Sequence, residues 1–189
     1  MARIIKDDID KFFEYGINLS TKTLVMDTFV DTEVSKSVIK GLHVLDNIKP
    51  NEPLTIIVEN YGGEEYAGLA IYDYIKNCKS EIHIEVYGAC MSMAAWILQA
   101  ADKRYMSKNA RLMLHVGYMG LDENHPEINK RWMKQYEKDE QLFEDILLER
   151  IKVKLPEFNR AKIKKLLMFD TIMDAHQAIE HNLIDEIIV

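Results

Sequence analysis

A chain of 189 residues with 48% apolar and 29% charged residues has the make-up of one globular domain with a sizeable core, expected here to span 1–189. Its formal net charge of −7 argues against nucleic-acid binding, which calls for a basic stripe; the run Lys162-Ile163-Lys164-Lys165 reads as a solvated helix face. No apolar run is long enough to span a bilayer, Met1 to Asp8 lacks a signal-peptide core, and Cys78 and Cys90 make neither a metal spacing nor a disulfide framework, so a reducing cytoplasm is the expected compartment.

In chain order, Thr23 to Val30 has strand character, and Asp31 or Thr32 offers an N-cap. Val34, Val38, Leu42, Leu45 and Ile48 then recur at helical spacing, and Pro50 and Pro53 end that helix. Leu54 to Glu59 is β-branched and apolar on both faces, as an interior parallel strand requires. Asn60-Tyr61-Gly62-Gly63 is a turn, followed by a helix through Ala67, Leu69, Ala70, Ile71, Tyr74 and Ile75. Ile82 to Tyr87 is the next strand, expected to stop at Gly88. A helix over Ala94 to Ala101 follows. Lys103 to Met106 and Arg111 to Leu114 read as short strands joined by a turn at Ser107-Lys108-Asn109. This alternation predicts an α/β fold with a mostly parallel sheet. Sites in such folds gather outside the carboxyl ends of the strands, where both glycine turns are expected to sit.

From about Asn124 to Arg150 the character changes. Ile128, Trp132, Tyr136, Phe143, Ile146 and Leu147 mark one face of a helix longer than a compact core needs, and its excess length suits packing on a partner subunit. The three aromatics read as an interface or core stripe. A last helix near Asp174 to His181 leads into the apolar end, Ile184 to Val189.

The chemistry centres on Ser92, set between a strand and an apolar helix whose first N–H groups have no intrahelical partner. A serine nucleophile needs a base, a group that orients the base, and donors for the oxyanion. His115 ends a strand. Asp170 follows the apolar segment Leu166 to Phe169, and Asp174 competes with it for the third position. The N–H groups of Gly63 and Met93 could converge on one point. Plainer roles stand beside these: Ser92 as a helix cap, His115 as a core histidine, Asp170 as a cap for the last helix, and Glu64 and Glu65 as solvated carboxylates. His176 and His181 are wrongly spaced for a shared metal face. No metal site is expected.

Four segments carry a resemblance. Gly88-Ala89-Cys90-Met91-Ser92-Met93-Ala94-Ala95 resembles the serine motif of the caseinolytic (Clp) protease proteolytic subunits. Lys108 to His115 resembles their histidine segment, Asn60 to Gly63 with Ala67 to Asp73 their glycine turn and helix, and Asp170 to Ala175 with Ala178 to Asp185 their aspartate segment. The resemblance runs from about Ile9 to Ile188 and keeps the family order of serine, histidine and aspartate. It implies a crotonase-like α/β fold of repeated β-β-α units with a protruding handle helix, here about 124–150. It further implies stacked heptameric rings that enclose the active sites, and an AAA+ unfoldase that feeds unfolded polypeptide inward. No cofactor is expected, ATP being used by the unfoldase alone. The implied roles are Ser92 as nucleophile, His115 as base, Asp170 as its orienter, and the Gly63 and Met93 N–H groups as the oxyanion hole.

The chain departs from the family at Tyr61, where proline is usual, and at Phe169 and Thr171, where the aspartate usually has arginine neighbours. Val116 to Gly120 replaces Gln-Pro and a glycine-rich strand that binds the substrate backbone. With about eight residues before the first helix-like segment (Ile9 to Tyr15), shortened axial loops are expected. Two rival readings are a crotonase-type acyl-CoA enzyme, with Glu64 or Glu65 as acid/base, and a catalytically silent ring subunit.

Overall fold

The computed structural model describes residues 2–117 and 125–188, with side chains from residue 9 onward. Helix α1 (Ala2–Tyr15) begins earlier than the segment expected from sequence, and leads through β1 (Ile17–Asn18) to β2 (Thr23–Met26). Helix α2 (Thr32–Ile48) is capped by Asp31, whose carboxylate accepts from the Val34 N–H at 2.8 Å. Strand β3 (Leu54–Asn60) and α3 (Glu65–Lys76) follow, then β4 (Ile82–Met91), α4 (Met93–Leu98), β5 (Lys103–Ser107) and β6 (Arg111–Leu114). The long α5 (Pro126–Lys152), α6 (Arg160–Leu167), β7 (Thr171–Met173), α7 (Ala175–Glu180) and β8 (Glu186–Ile188) complete the order.

The strands form one sheet in the order β1-β2-β3-β4-β5-β8, with β6 paired to the far end of β4 and β7 paired to β6. Every pairing is parallel except β1 with β2 and β6 with β7. That is the mostly parallel α/β sheet the alternation predicts. Ile56, Val58, Ile84 and Val86 are buried at its centre, as strands covered on both faces demand.

Two expectations are corrected. The strand begun at Ile82 does not stop at Gly88 but runs to Met91. Its partners change on the way: His83 to Val86 pair with β5, and Ala89 to Met91 pair with β6. The break falls at Gly88, which holds φ at 62°, where a Cβ would lie 2.9 Å from the Glu59 carboxylate. The pairing with β3 also slips here, from Val58↔Val86 to Asn60↔Cys90. Gly88 therefore bends a continuing strand instead of ending it, as glycine at a bulge does. Second, the apolar face read along 124–150 divides in two. Ile146, Leu147 and Ile151 enter the core, whereas Ile128 and Trp132 are exposed. The amino-terminal part of α5 thus carries large apolar side chains that this chain does not cover. Asn124 lies outside the described residues.

A buried ammonium fastens the sheet's entry. Lys22, just before β2, is 1% exposed, and its Nζ donates to the Lys49 and Glu52 carbonyls at 2.6 Å and to Ser80 Oγ at 3.0 Å. Lys22→Met keeps the stem and strands three acceptors, so a loss of about 2 kcal/mol or more is expected; chemical denaturation at fixed protein concentration measures it.

Candidate active site

The site assembles where β4 and β6 end and β7 begins. Ser92 follows β4 directly and is held at φ 51°, ψ −127°, a region costly for a residue with a side chain. Its N–H donates to the Met113 carbonyl of β6 at 2.9 Å, and its carbonyl accepts from Ala95. Ser92 occupies the cap position of α4, yet its side chain makes no cap bond. The hydroxyl instead lies 2.7 Å from His115 Nε2. The helix-cap role considered for Ser92 is therefore not the one it takes.

Strand register accounts for the other two residues. Ser92 follows Met91, which pairs with Met113, so the end of β6 lies beside the serine. Antiparallel pairing of Leu114 with Thr171 then sets the next residue of one strand opposite the preceding residue of the other, His115 facing Asp170. The His115 Nδ1 to Asp170 Oδ1 distance is 3.4 Å, with the histidine side chain 14% and the aspartate 60% exposed. Asp174, the competing aspartate, caps α7 in a reciprocal box with Gln177. Asp170 takes no such cap role.

The glycine turn closes the site from the β3 side. The Gly62 N–H donates to Asn60 Oδ1 at 2.8 Å, and the buried Asn60 amide holds the Thr28 carbonyl. Val30 clasps the turn from both directions, its N–H on the Gly62 carbonyl and its carbonyl on the Glu64 N–H. At Gly62, φ 99°, a Cβ would lie 2.7 Å from Ser92 Cβ and 2.9 Å from the Met93 nitrogen. At Gly63, φ 159°, it would lie 2.1 Å from the Val30 carbonyl oxygen. Only glycine fits at either position. The turn is thereby pressed onto the start of α4, and Gly63, Ser92, Met93 and His115 line one cavity of about 360 Å³.

A model of the Clp protease family matches residues 10–189. The chain belongs to the Clp protease family. It is similar to the ATP-dependent Clp protease proteolytic subunit of Deinococcus radiodurans, 29% identical over 176 residues, which are 92% of this chain and 83% of that protein. Among solved structures it resembles a ClpP1 mutant from Listeria monocytogenes, with a TM-score of 0.79, 25% identity, and coverage of 90% of this chain and 92% of that one. The fold is accordingly the ClpP fold with its handle helix, which in this Clp family chain is α5, Pro126–Lys152, a boundary shifted by two residues from the expected 124–150.

Measured against the family pattern, the structure sorts the departures. Tyr61 is exposed at the turn that usually carries proline, and the turn is pinned by Asn60 and Val30 instead. Thr171, in place of an arginine, turns inward, its hydroxyl donating to the Leu166 carbonyl at 2.6 Å. Phe169 is exposed. The stretch expected to offer an edge to substrate, Val116 to Gly120, falls mostly on 118–120, outside the described residues. Its first two members, Val116 and Gly117, line the cavity, and the Val116 N–H donates to the Leu167 carbonyl of α6.

Several cavity residues were not singled out from sequence for this place. Trp96 and Phe143, with ring centroids 4.8 Å apart, form a wall between α4 and α5. Tyr136, read as part of a stripe, lines the cavity, and its hydroxyl donates to the Gly117 carbonyl. Burial first, then the Glu140 carboxylate, pushes the Tyr136 hydroxyl up to about 12. Glu65, read as solvated, lines the cavity half-buried, and its Oε1 is inaccessible to solvent with no hydrogen-bond partner among the described residues. Burial raises its pKa, with Asp139 and Glu140 adding to the rise.

Proposed function

We propose that this protein is a serine endopeptidase that cleaves unfolded polypeptides, with Ser92, His115 and Asp170 as its catalytic residues. The observation that carries this reading is the 2.7 Å contact between Ser92 Oγ and His115 Nε2, made by a serine in a strained strand-to-helix turn at the mouth of a cavity. His115 Nε2 takes the hydroxyl proton as Oγ attacks a peptide carbonyl, then delivers it to the leaving amine. Water repeats the exchange on the acyl-enzyme and frees the carboxylate product. Asp170, toward Nδ1, orients the ring and stabilises the imidazolium. The Gly63 and Met93 N–H groups hold the oxyanion, where one such donor is typically worth about a hundredfold or more in rate.

The wider setting follows from family membership and from α5. Its exposed Ile128 and Trp132 suit burial against a second copy, and we infer stacked heptameric rings joined through these helices, with the sites facing an inner chamber. An AAA+ unfoldase would thread substrate into that chamber and use ATP there; the peptidase itself would need no cofactor. We infer one peptidase domain over 1–189, in the cytoplasm. Both cysteines are free, which suits a reducing compartment. Among the described residues no helix is long and apolar enough to cross a membrane.

A fluorophosphonate probe tests the chemistry. The expected result is one adduct per chain, mapped to Ser92 by mass spectrometry of the digest. An adduct mapped to another residue sinks the assignment, as does a failure to label assembled protein across the neutral to mildly alkaline range.

A further inference from the structure

The cavity beside Ser92 has a charge pattern that hydrolysis does not require. Its walls near the serine are apolar, from Met93, Trp96, Phe143 and Leu167, while Glu65, Glu140, Glu144 and Lys164 bring charge to the same space. Two of these four are matched to each other or to a neighbour. Glu144 is held by Arg160 at 2.7 Å and lies 3.8 Å from the Lys164 ammonium. Asp139, behind Glu65, accepts from Tyr66 at 3.1 Å and Gln135 at 2.8 Å. Glu65 and Glu140 have no cationic partner among the described residues, and Glu65 keeps one oxygen shut from water with no donor there. Desolvated carboxylates without a counter-charge are costly. A cavity with apolar sides and unmatched carboxylates suits a side chain with a long methylene stem and a cationic head.

We propose that Glu65, supported by Glu140, makes this cavity the pocket for the substrate side chain on the amino side of the scissile bond and selects lysine or arginine there. The inference rests on the peptidase reading. The volume of about 360 Å³ accommodates either side chain. Glu65 opens α3 two residues after Gly63, so the group that selects the side chain and the turn proposed to hold the oxyanion are parts of one short segment. An ammonium or guanidinium seated here would give the Glu65 carboxylate a counter-charge and offset the repulsion between Glu65 and Glu140.

Two peptidyl diphenyl phosphonates, alike except for lysine or leucine at the terminal position, separate this inference from the reading beneath it. Each phosphonylates a serine nucleophile, the P–O bond to the hydroxyl forming as phenoxide leaves. The lysine probe is expected to label Ser92 about tenfold faster or more, the scale of a charge-assisted hydrogen bond in a part-buried site. Glu65→Gln is expected to bring the ratio of the two rates close to one, Glu65→Asp to retain part of it, and Glu140→Gln to lower it less than Glu65→Gln does. Taking the ratio within each variant cancels any general loss of reactivity. Equal labelling, a leucine preference, a ratio unmoved by Glu65→Gln, or labelling by a small fluorophosphonate alone overturns the pocket assignment and leaves the peptidase standing. Labelling by none of the three reagents overturns both.

Discussion

Ser92→Ala is expected to remove peptide hydrolysis, with kcat falling by about 10⁴-fold or more, the scale seen when a serine nucleophile is deleted from a triad. The fold should survive. The Ser92 side chain makes no cap bond to α4, and alanine meets the same φ of 51° at a steric cost close to that of serine. What disappears is the hydroxyl 2.7 Å from His115 Nε2. Residual stability should stay within about 1 kcal/mol of the parent, as expected where no buried bulk is lost. Hydrolysis of an unstructured peptide and the sedimentation profile are read on the same preparation. Peptide cleavage that persists in Ser92→Ala dismisses Ser92 as the nucleophile. Turnover of a CoA thioester that persists in it favours the crotonase-type enzyme, in which an oxyanion site serves an enolate and no serine is needed. A parent that assembles but neither cleaves nor labels returns the protein to the silent-subunit reading.

The difference between what sequence made legible and what it hid follows from the range of the interactions. Strand β3 and helices α2 and α3 declare themselves in local periodicity, because each buries one face, or both, of its own segment. The candidate site was legible only in pieces. The glycine turn, Ser92 and His115 each sit at the end of an element, but what joined Ser92, His115 and Asp170 was the resemblance to the Clp protease subunits, because their approach to one another depends on strand register that no local pattern carries. The middle of β4 was misread because a glycine after an apolar run usually ends a strand. Here it lets the strand leave β5 and continue beside β6. β7 was missed because three residues carry no readable period, although Thr171-Ile172-Met173 lies between two aspartates as a short strand can. Glu65 illustrates the limit best. Glu64 and Glu65 are alike in sequence, yet only Glu65 lines the cavity. What encloses it is α5, with Tyr136 and Glu140 on the same cavity, and no local pattern announces a contact across that many residues.

The same long range hides a second determinant, and it carries the largest expected effect on stability. Arg104→Ala should cost about 3–5 kcal/mol, the scale found when one partner of a buried ion pair is removed. The Arg104 side chain on β5 is 3% exposed, with Asp185 at 33%. Its Nε and one terminal nitrogen grip the Asp185 carboxylate at 3.0 and 2.6 Å, and the other nitrogen donates to Gln99 Oε1 and the Asn182 carbonyl, both at 2.8 Å. The Gln99 carbonyl also receives Arg150 from the base of α5, and Arg150 reaches the Ala101 carbonyl at 2.9 Å. One cluster thus ties the end of α4, the start of β5, the base of the handle helix and the approach to β8. Removing Arg104 leaves the Asp185 carboxylate partly desolvated without its fork and strands the Gln99 and Asn182 acceptors. Burial pushes the Asp185 carboxyl up, but the Arg104 guanidinium beside it outweighs burial and holds it below its ordinary value. A carboxyl with a lowered folded-state pKa stabilises the fold above its unfolded pKa of about 4 and loses that contribution as pH falls through the folded value. Urea unfolding of Asp185→Asn at one fixed protein concentration should therefore show its largest deficit against the parent near pH 7 and a shrinking deficit below about pH 4. A deficit for Arg104→Ala under about 1 kcal/mol, or one for Asp185→Asn that does not change with pH, rules out this cluster as the clamp between the handle and the sheet.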